Sequence, residues 1–225
     1  MPVSKWTYYQ EWNNALFLHW KVPFDELRKH VPERLILDSF DGEVYISIVV
    51  FTMQKIRPKN LPAVKFISDF EEINVRTYIK NEDKAGVYFL SIEAAKTLSV
   101  YIAKALSGLP YEKSNIIRSG NFIQSVNRKT GFYLKAVFDV QASISSKTEL
   151  DIWLTERYCL YIDKDETIHR FEIHHEPWTL NRVALKSLDL RYHFGNLEFG
   201  SQKPDFVHYS QGVKVIAWNK VKIAL

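Results

Sequence analysis

The chain carries a single cysteine, Cys159, so no disulfide can form within it and its cysteine usage gives no sign of an oxidising compartment. Eight glycines and eight prolines in 225 residues exclude a glycine-rich or proline-rich architecture. Long apolar runs are missing too: residues 44–51 form the longest and Ser47 interrupts it, far short of the ~20 residues a spanning helix needs. The first ten residues lack a basic end followed by an apolar stretch, so no secretory signal is expected. A soluble, cytoplasmic protein with no membrane partner is the resulting expectation. Charge of one sign is scarce, since 30 Lys plus Arg against 26 Asp plus Glu leave only +4. The densest basic stretch, Lys55 to Lys65, is broken by Pro58 and Pro62. Nucleic-acid binders cluster such charge to displace phosphate counterions, so no nucleic-acid partner is expected.

Motifs with a fixed chemistry are absent as well. No G-x-G-x-x-G, Walker-type loop or G-x-S-x-G occurs, which argues against nucleotide cofactors and hydrolase elbows. There is no His-Glu-x-x-His, no Cys pair and no His-x-His. His174 and His175 are adjacent and on a strand would face opposite ways. No metal and no cofactor are therefore expected. Cys159 lies in the apolar run 158–162, where a buried, inert thiol is the expectation.

What the sequence does hold is aromatic residues, 14 Phe, 12 Tyr and 6 Trp, which favour strands. Two segments read as helices. Phe24 to Val31 follows Pro23, ends against Pro32, and puts Phe24, Leu27 and Val31 on one face. Ser91 to Leu106 has Ser91 as a cap, Glu93 in the first turn, and an apolar stripe of Ile92, Ala95, Leu98, Ile102 and Leu106. Strands are expected over 44–53, where nearly continuous apolarity suits coverage on both faces, and over 70–80, 86–90, 131–142, 149–162, 168–175, 207–208 and 213–223. Asp41-Gly42, Asn127 to Gly131 and 163–165 read as turns. With no repeat, linker or compositional break, one α+β domain over 1–225, mainly antiparallel β, is the expected organisation.

Phe70 to Ile79 is the most informative segment. On a strand, Glu72, Asn74, Arg76 and Tyr78 point one way while Ile73, Val75 and Ile79 point the other. Such a mixed polar row suits a solvent-facing strand or the lining of an internal pocket, and periodicity leaves both open. In a pocket, Arg76 is the natural anchor for a carboxylate or enolate. Glu72 is then its ion-pair partner or, if desolvated, an acid or base. A second row on the expected strand 149–162 is Thr155, Arg157, Cys159 and Tyr161, with structural ion pairing the simpler role for Arg157.

Several segments together resemble a known family. His19-Trp20, Val31-Pro32-Glu33-Arg34-Leu35, the Glu-x-Asn-Val-Arg-Thr-Tyr of 72–78, Gly86-Val87-Tyr88-Phe89 and Leu109-Pro110-Tyr111 occur in order. Leu154-Thr155-Glu156-Arg157-Tyr158 and His175 with Pro177-Trp178 follow. This pattern resembles the YqjF-like family, domain of unknown function 2071, from about residue 10 onward. The resemblance implies the acetoacetate decarboxylase-like fold: a bent antiparallel β-barrel around a pocket, with two helices packed outside. It favours the interior placement of the Glu72 row.

The decarboxylase chemistry does not carry over. The decarboxylases' two consecutive lysines, the first forming a Schiff base, correspond here to Tyr111 and Glu112, and the next amine is Lys113. A glutamate neighbour is expected to raise that amine's pKa. The decarboxylases' N-terminal arginine falls on Asn13 and a strand glutamate on Ser47. Schiff-base decarboxylation is accordingly not expected, and whether the protein is an enzyme stays open. The leading expectation is a pocket of Glu72, Asn74, Arg76, Tyr78, Tyr111 and Arg157 for a small, anionic organic acid or carbonyl compound. Two alternatives remain: a non-catalytic sensory or regulatory binding module, and a structural or partner-binding protein whose polar row is an ion-pair network. The oligomeric state, a homo-oligomer included, is open.

Overall fold

The computed structural model describes residues 2–81, 84–96, 109–164, 167–200 and 202–223. The strands among them are β1 (Tyr8–Val22), β2 (Val44–Pro58), β3 (Phe70–Asn81), β4 (Lys84–Ala94), β5 (Tyr111–Lys113), β6 (Asn115–Ser119) and β7 (Phe122–Val126). They continue with β8 (Tyr133–Ser143), β9 (Cys159–Lys164), β10 (Thr167–His175), β11 (Asn181–Phe194), β12 (Leu197–Phe199), β13 (Phe206–Ala217) and β14 (Val221–Lys222). Three short helices are described: α1 (Phe24–Arg28), α2 (Lys65–Ser68) and α3 (Glu149–Thr155).

The sheet curls on itself. Its order β10-β9-β4-β3-β2-β1-β13 is closed by pairing of β13 back onto β10, giving a ring of seven strands. Ring neighbours are antiparallel except β4 and β9, which run parallel. Beyond β13 the sheet continues through β11, β8, β7 and β6. These outer strands pack against the outside of the ring.

Side-chain alternation sorts the two faces. Leu16, Leu18 and Trp20 of β1, Ile46, Ile48 and Val50 of β2, and Ile73, Val75 and Ile79 of β3 share an outer core with Ile123, Leu134, Phe138 and Tyr192. Their intervening neighbours Ala15, Phe17, Val49, Phe51 and Met53 form an inner core. This two-sided burial explains why 44–53 is almost continuously apolar, and each fully buried aliphatic or aromatic side chain contributes about 1.5–3 kcal/mol. On β3 the inner positions fall to Glu72, Asn74 and Arg76.

A bulge adjusts β1. Asn14 has φ +53° and the β1–β2 register shifts between Asn13 and Leu16. Without the extra residue, Trp12 and Phe17, five apart, would face opposite sides; with it both face inward. Gly212 of β13 pairs with Asn13 there at φ +140°. A Cβ on Gly212 would lie 2.3 Å from Asn13 Oδ1 and 2.5 Å from the Trp12 carbonyl oxygen, so only glycine fits.

Three expectations are corrected. The helix expected at Ser91 to Leu106 begins as strand: Ser91 to Ala94 complete β4, Ile92 pairing with Asn74 and Glu93 with Ile73, while 97–108 lie outside the described residues. Alternation decides it, since Ile92 and Ala94 enter the inner core and Glu93 turns to the buried Ser125 on the opposite side. Pairing on both edges of β4 overrides local helix propensity. The strand expected over 149–162 is α3 first and β9 after. Thr148 and Asp151 form a reciprocal capping box that starts α3. With α2, which was not expected, the described helices number three against the two expected. None of them is long and apolar enough to cross a membrane.

Candidate functional site

The ring encloses a cavity of about 470 Å³ to which all seven of its strands contribute side chains. Glu72, Asn74 and Arg76 of β3 form its polar stripe, next to Val49, Phe51 and Met53 of β2. Trp12, Ala15 and Phe17 of β1 follow, with Trp178 and His175 beyond. Tyr8, Gln10, Asn219 and Lys220 also line it. Cys159 is on the wall, and burial lifts its thiol pKa to about 11, so it is a neutral side chain there.

Arg76 is the unusual group. It is 8% exposed, and its Nε and Nη2 are buried with no hydrogen-bond partner among the described residues. It makes no ion pair among those residues. Its Cζ lies 5.8 Å from the centre of the Phe17 ring. Burial lowers its pKa, against a favourable contribution from the Tyr78 hydroxyl. A buried cation without a counter-charge is costly.

Glu72 stands two positions beyond Asn74 on the same stripe. It is 3% exposed and accepts a 3.0 Å hydrogen bond from the Tyr111 hydroxyl. Burial raises its pKa to about 7, against the hydrogen bonds from Tyr111 and Asn74 that favour the carboxylate. Near neutrality this group can therefore give or take a proton. Tyr111 is held well above its ordinary value by burial and by the Glu72 carboxylate.

The other expected residues divide. Asn74 lines the cavity with its Oδ1 buried and unpartnered among the described residues. Arg157 also lines it, but its Nη1 pairs with Asp38 at 2.6 Å, its Nε donates to the Trp153 carbonyl, and it stacks 4.2 Å over the Trp153 ring. Tyr78 is inward but does not line the cavity, because α3 covers it: its ring lies 4.6 Å from that of Trp153 and its hydroxyl donates to the Leu154 carbonyl. Lys113 is absent from the cavity wall and donates to the Ala95 carbonyl, while Glu112 is ion-paired with Lys129. Burial lowers the Lys113 pKa, correcting the rise expected from Glu112.

Sequence reasoning missed a buried polar chain behind the cavity. Asp151 Oδ1 meets His208 Nε2 at 2.8 Å, His208 Nδ1 meets His19 Nε2 at 3.3 Å, and His19 Nδ1 meets Ser47 Oγ at 2.6 Å. Ser47 Oγ then meets the Tyr78 hydroxyl at 2.5 Å. Burial lowers both histidines, His19 far below its ordinary value with help from His208 and Arg76. Asp151 stays below the ordinary carboxyl range because bonds from Thr148 and His208 outweigh its burial. With both rings neutral, His208 donates to Asp151 and His19 donates to His208, which leaves His19 Nδ1 an acceptor for the hydroxyl pair of Ser47 and Tyr78. The chain fixes Tyr78, and Tyr78 in turn stands against Arg76. The signal for His19 was its place in the otherwise apolar run 15–20 of β1, two residues beyond the inward Phe17.

Residues 9–214 match the family described as an uncharacterised conserved protein, domain of unknown function 2071. The chain is 33% identical to the uncharacterised protein YqjF of Bacillus subtilis over 226 residues, covering 97% of this chain and 93% of that one. Among solved structures, it is similar to the enduracididine biosynthesis enzyme MppR complexed with pyruvate, at a TM-score of 0.66 and 8% identity, over 100% of this chain and 92% of that one. It is also similar to acetoacetate decarboxylase from Legionella pneumophila, at a TM-score of 0.62 and 11% identity, over 100% and 92% of the two chains. An acetoacetate decarboxylase-like enzyme from Sphingomonas wittichii gives 0.60 and 12%, over 98% and 94%. These likenesses establish the fold, the acetoacetate decarboxylase-like curled sheet. By its sequence, the chain belongs to the YqjF-like family of domain of unknown function 2071.

Proposed function

We propose that the cavity binds a small organic acid, with Arg76 holding the carboxylate and Glu72, Asn74 and Tyr111 meeting its other polar atoms. The observation that carries this reading is Arg76 itself, a buried guanidinium on the cavity wall with two N–H groups unpartnered among the described residues and no counter-charge there. A planar carboxylate matches that donor fork. Arg157 takes a supporting part, since Asp38 already neutralises it. A structural neighbour bound to pyruvate supports the same ligand class. Chemistry in such a site is acid–base, with Glu72 moving a proton to or from the bound acid, because the decarboxylase lysine positions hold Tyr111 and Glu112.

The test is thermal unfolding with a panel of 2-oxo and 2-hydroxy acids, each beside its neutral amide. An acid at a hundred times its Kd stabilises by about 2.7 kcal/mol. Acids should raise the melting temperature and amides should not. No shift with any acid refutes the reading. A product assay on every stabilising acid then separates an enzyme from a non-catalytic sensor built on the same site.

A further inference from the structure

A three-carbon acid fills only a corner of this cavity, whose 470 Å³ lies in the range that encloses drug-sized ligands. Away from Arg76 the wall turns aromatic. Phe17 faces the guanidinium, Trp178 meets Phe17 edge-on at 5.1 Å, and Trp12 stacks on Trp178 at 6.2 Å and 18°. Phe51 closes on Trp12 at 5.8 Å. The β1 bulge that turns Trp12 inward completes this wall.

The unpartnered polar atoms on the wall define the rest of the ligand. Donors dominate: Arg76 Nε and Nη2, Arg157 Nη2 and Trp12 Nε1, against one acceptor, Asn74 Oδ1. That balance disfavours a cation among these rings, although aromatic walls otherwise suit one. Trp12 Nε1 is an indole N–H buried at the aromatic end without an acceptor among the described residues. Buried donors are rarely left unmatched in native proteins, and indole can only donate.

We infer that the ligand is an aromatic carboxylic acid, its carboxylate at Arg76, its ring against Phe17, Trp178 and Trp12, and a hydrogen-bond acceptor on the ring for Trp12 Nε1. This rests on the anion-binding reading above and adds the ring and its acceptor. The flat ring fills space that aliphatic chains leave to water, and offset or edge-on packing suits the tilted wall.

Calorimetric titration of the full chain with lactate, 3-phenyllactate, 3-(4-hydroxyphenyl)lactate and 2-phenylethanol tests it. Phenyllactate should bind roughly ten- to a hundredfold tighter than lactate, the gain from burying one ring. The hydroxyphenyl acid should bind tighter again, and that extra margin should vanish in Trp12→Phe, which keeps a ring and loses the N–H. Ligand quenching of tryptophan fluorescence, weakened in Trp178→Phe, gives a second readout that needs no change in affinity. Equal affinity for lactate and phenyllactate overturns the aromatic subsite while the anion reading stands. A hydroxyl margin that is absent, or that survives in Trp12→Phe, overturns the Trp12 contact. Phenylethanol binding as tightly as phenyllactate, or no acid binding at all, overturns the anion reading itself.

Discussion

Replacing Arg76 by methionine should stabilise the empty protein while abolishing acid binding. The substitution keeps an unbranched side chain of similar reach, so little cavity is created. It removes two buried N–H groups that lack partners among the described residues, and each such group costs about 1–3 kcal/mol. Lost in return are the contact over Phe17, worth about 0.5–1 kcal/mol, and the Tyr78 interaction. The balance is a gain of about 1–3 kcal/mol. In a chain of this size each kcal/mol moves the midpoint by roughly 2–4 °C, so differential scanning of the ligand-free variant should read a rise of several degrees. Chemical denaturation should give the same sign with an unchanged m-value. A loss of more than about 1 kcal/mol would refute the reasoning, because it would mean Arg76 is satisfied from within the fold.

Glu72→Gln tests the raised carboxyl. Folded Glu72 keeps its proton up to about pH 7 whereas the unfolded chain releases it near 4.5, so between those values ionisation favours the unfolded state and wild-type stability falls as pH rises. The variant should lack that decline, and its acid affinity should no longer weaken above pH 7, where ionised Glu72 repels the ligand; identical pH profiles would contradict this. The buried histidines act in the opposite direction, their depressed pKa values giving stability that is present above pH 6.5 and lost as pH falls. Asp151→Asn should lower stability by about 1–2 kcal/mol, because its single amide oxygen cannot accept from both the Thr148 N–H and His208 Nε2, and with the oxygen on Thr148 and the NH2 facing His208, nitrogen NMR should show His208 changing tautomer. Gly212→Ala should cost about 2–4 kcal/mol, from positive φ and a clash with Asn13 and Trp12, and should weaken acid binding by displacing Trp12.

The strands β2 and β3 were legible from their patterns, one apolar on both faces and one divided by period two, but their closure into a ring was not. The decarboxylase-like topology came from ordered segments such as 72–78 and 154–158, not from periodicity. Local rules failed where longer-range pairing decided the outcome. Ser91 to Ala94 look like a capped helix start, yet pairing with β3 and β5 draws them into β4. Conversely, the reading of 149–162 as one strand takes no account of the Thr148-x-x-Asp151 box that starts α3. Within the site, alternation grouped Glu72, Asn74 and Arg76 on one face, and the family resemblance favoured turning that face inward. Trp12 did not, because a bulge at Asn14 inverts the facing of everything before it. Nor did the Asp151–His208–His19–Ser47 chain, whose members meet only when β1 pairs with both β2 and β13 and α3 packs over those strands.

Whether the inward stripe of β3 meets a bound anion decides the function proposed for the cavity. A crystal structure of the protein with 3-phenyllactate measures it directly. The carboxylate should lie inside the ring, its oxygens about 2.7–2.9 Å from the Arg76 guanidinium, with Glu72 and Tyr111 still hydrogen-bonded beside it. An acid bound on the outer face, or an Arg76 side chain paired with a carboxylate of the protein itself while the ring interior stays empty, would contradict it.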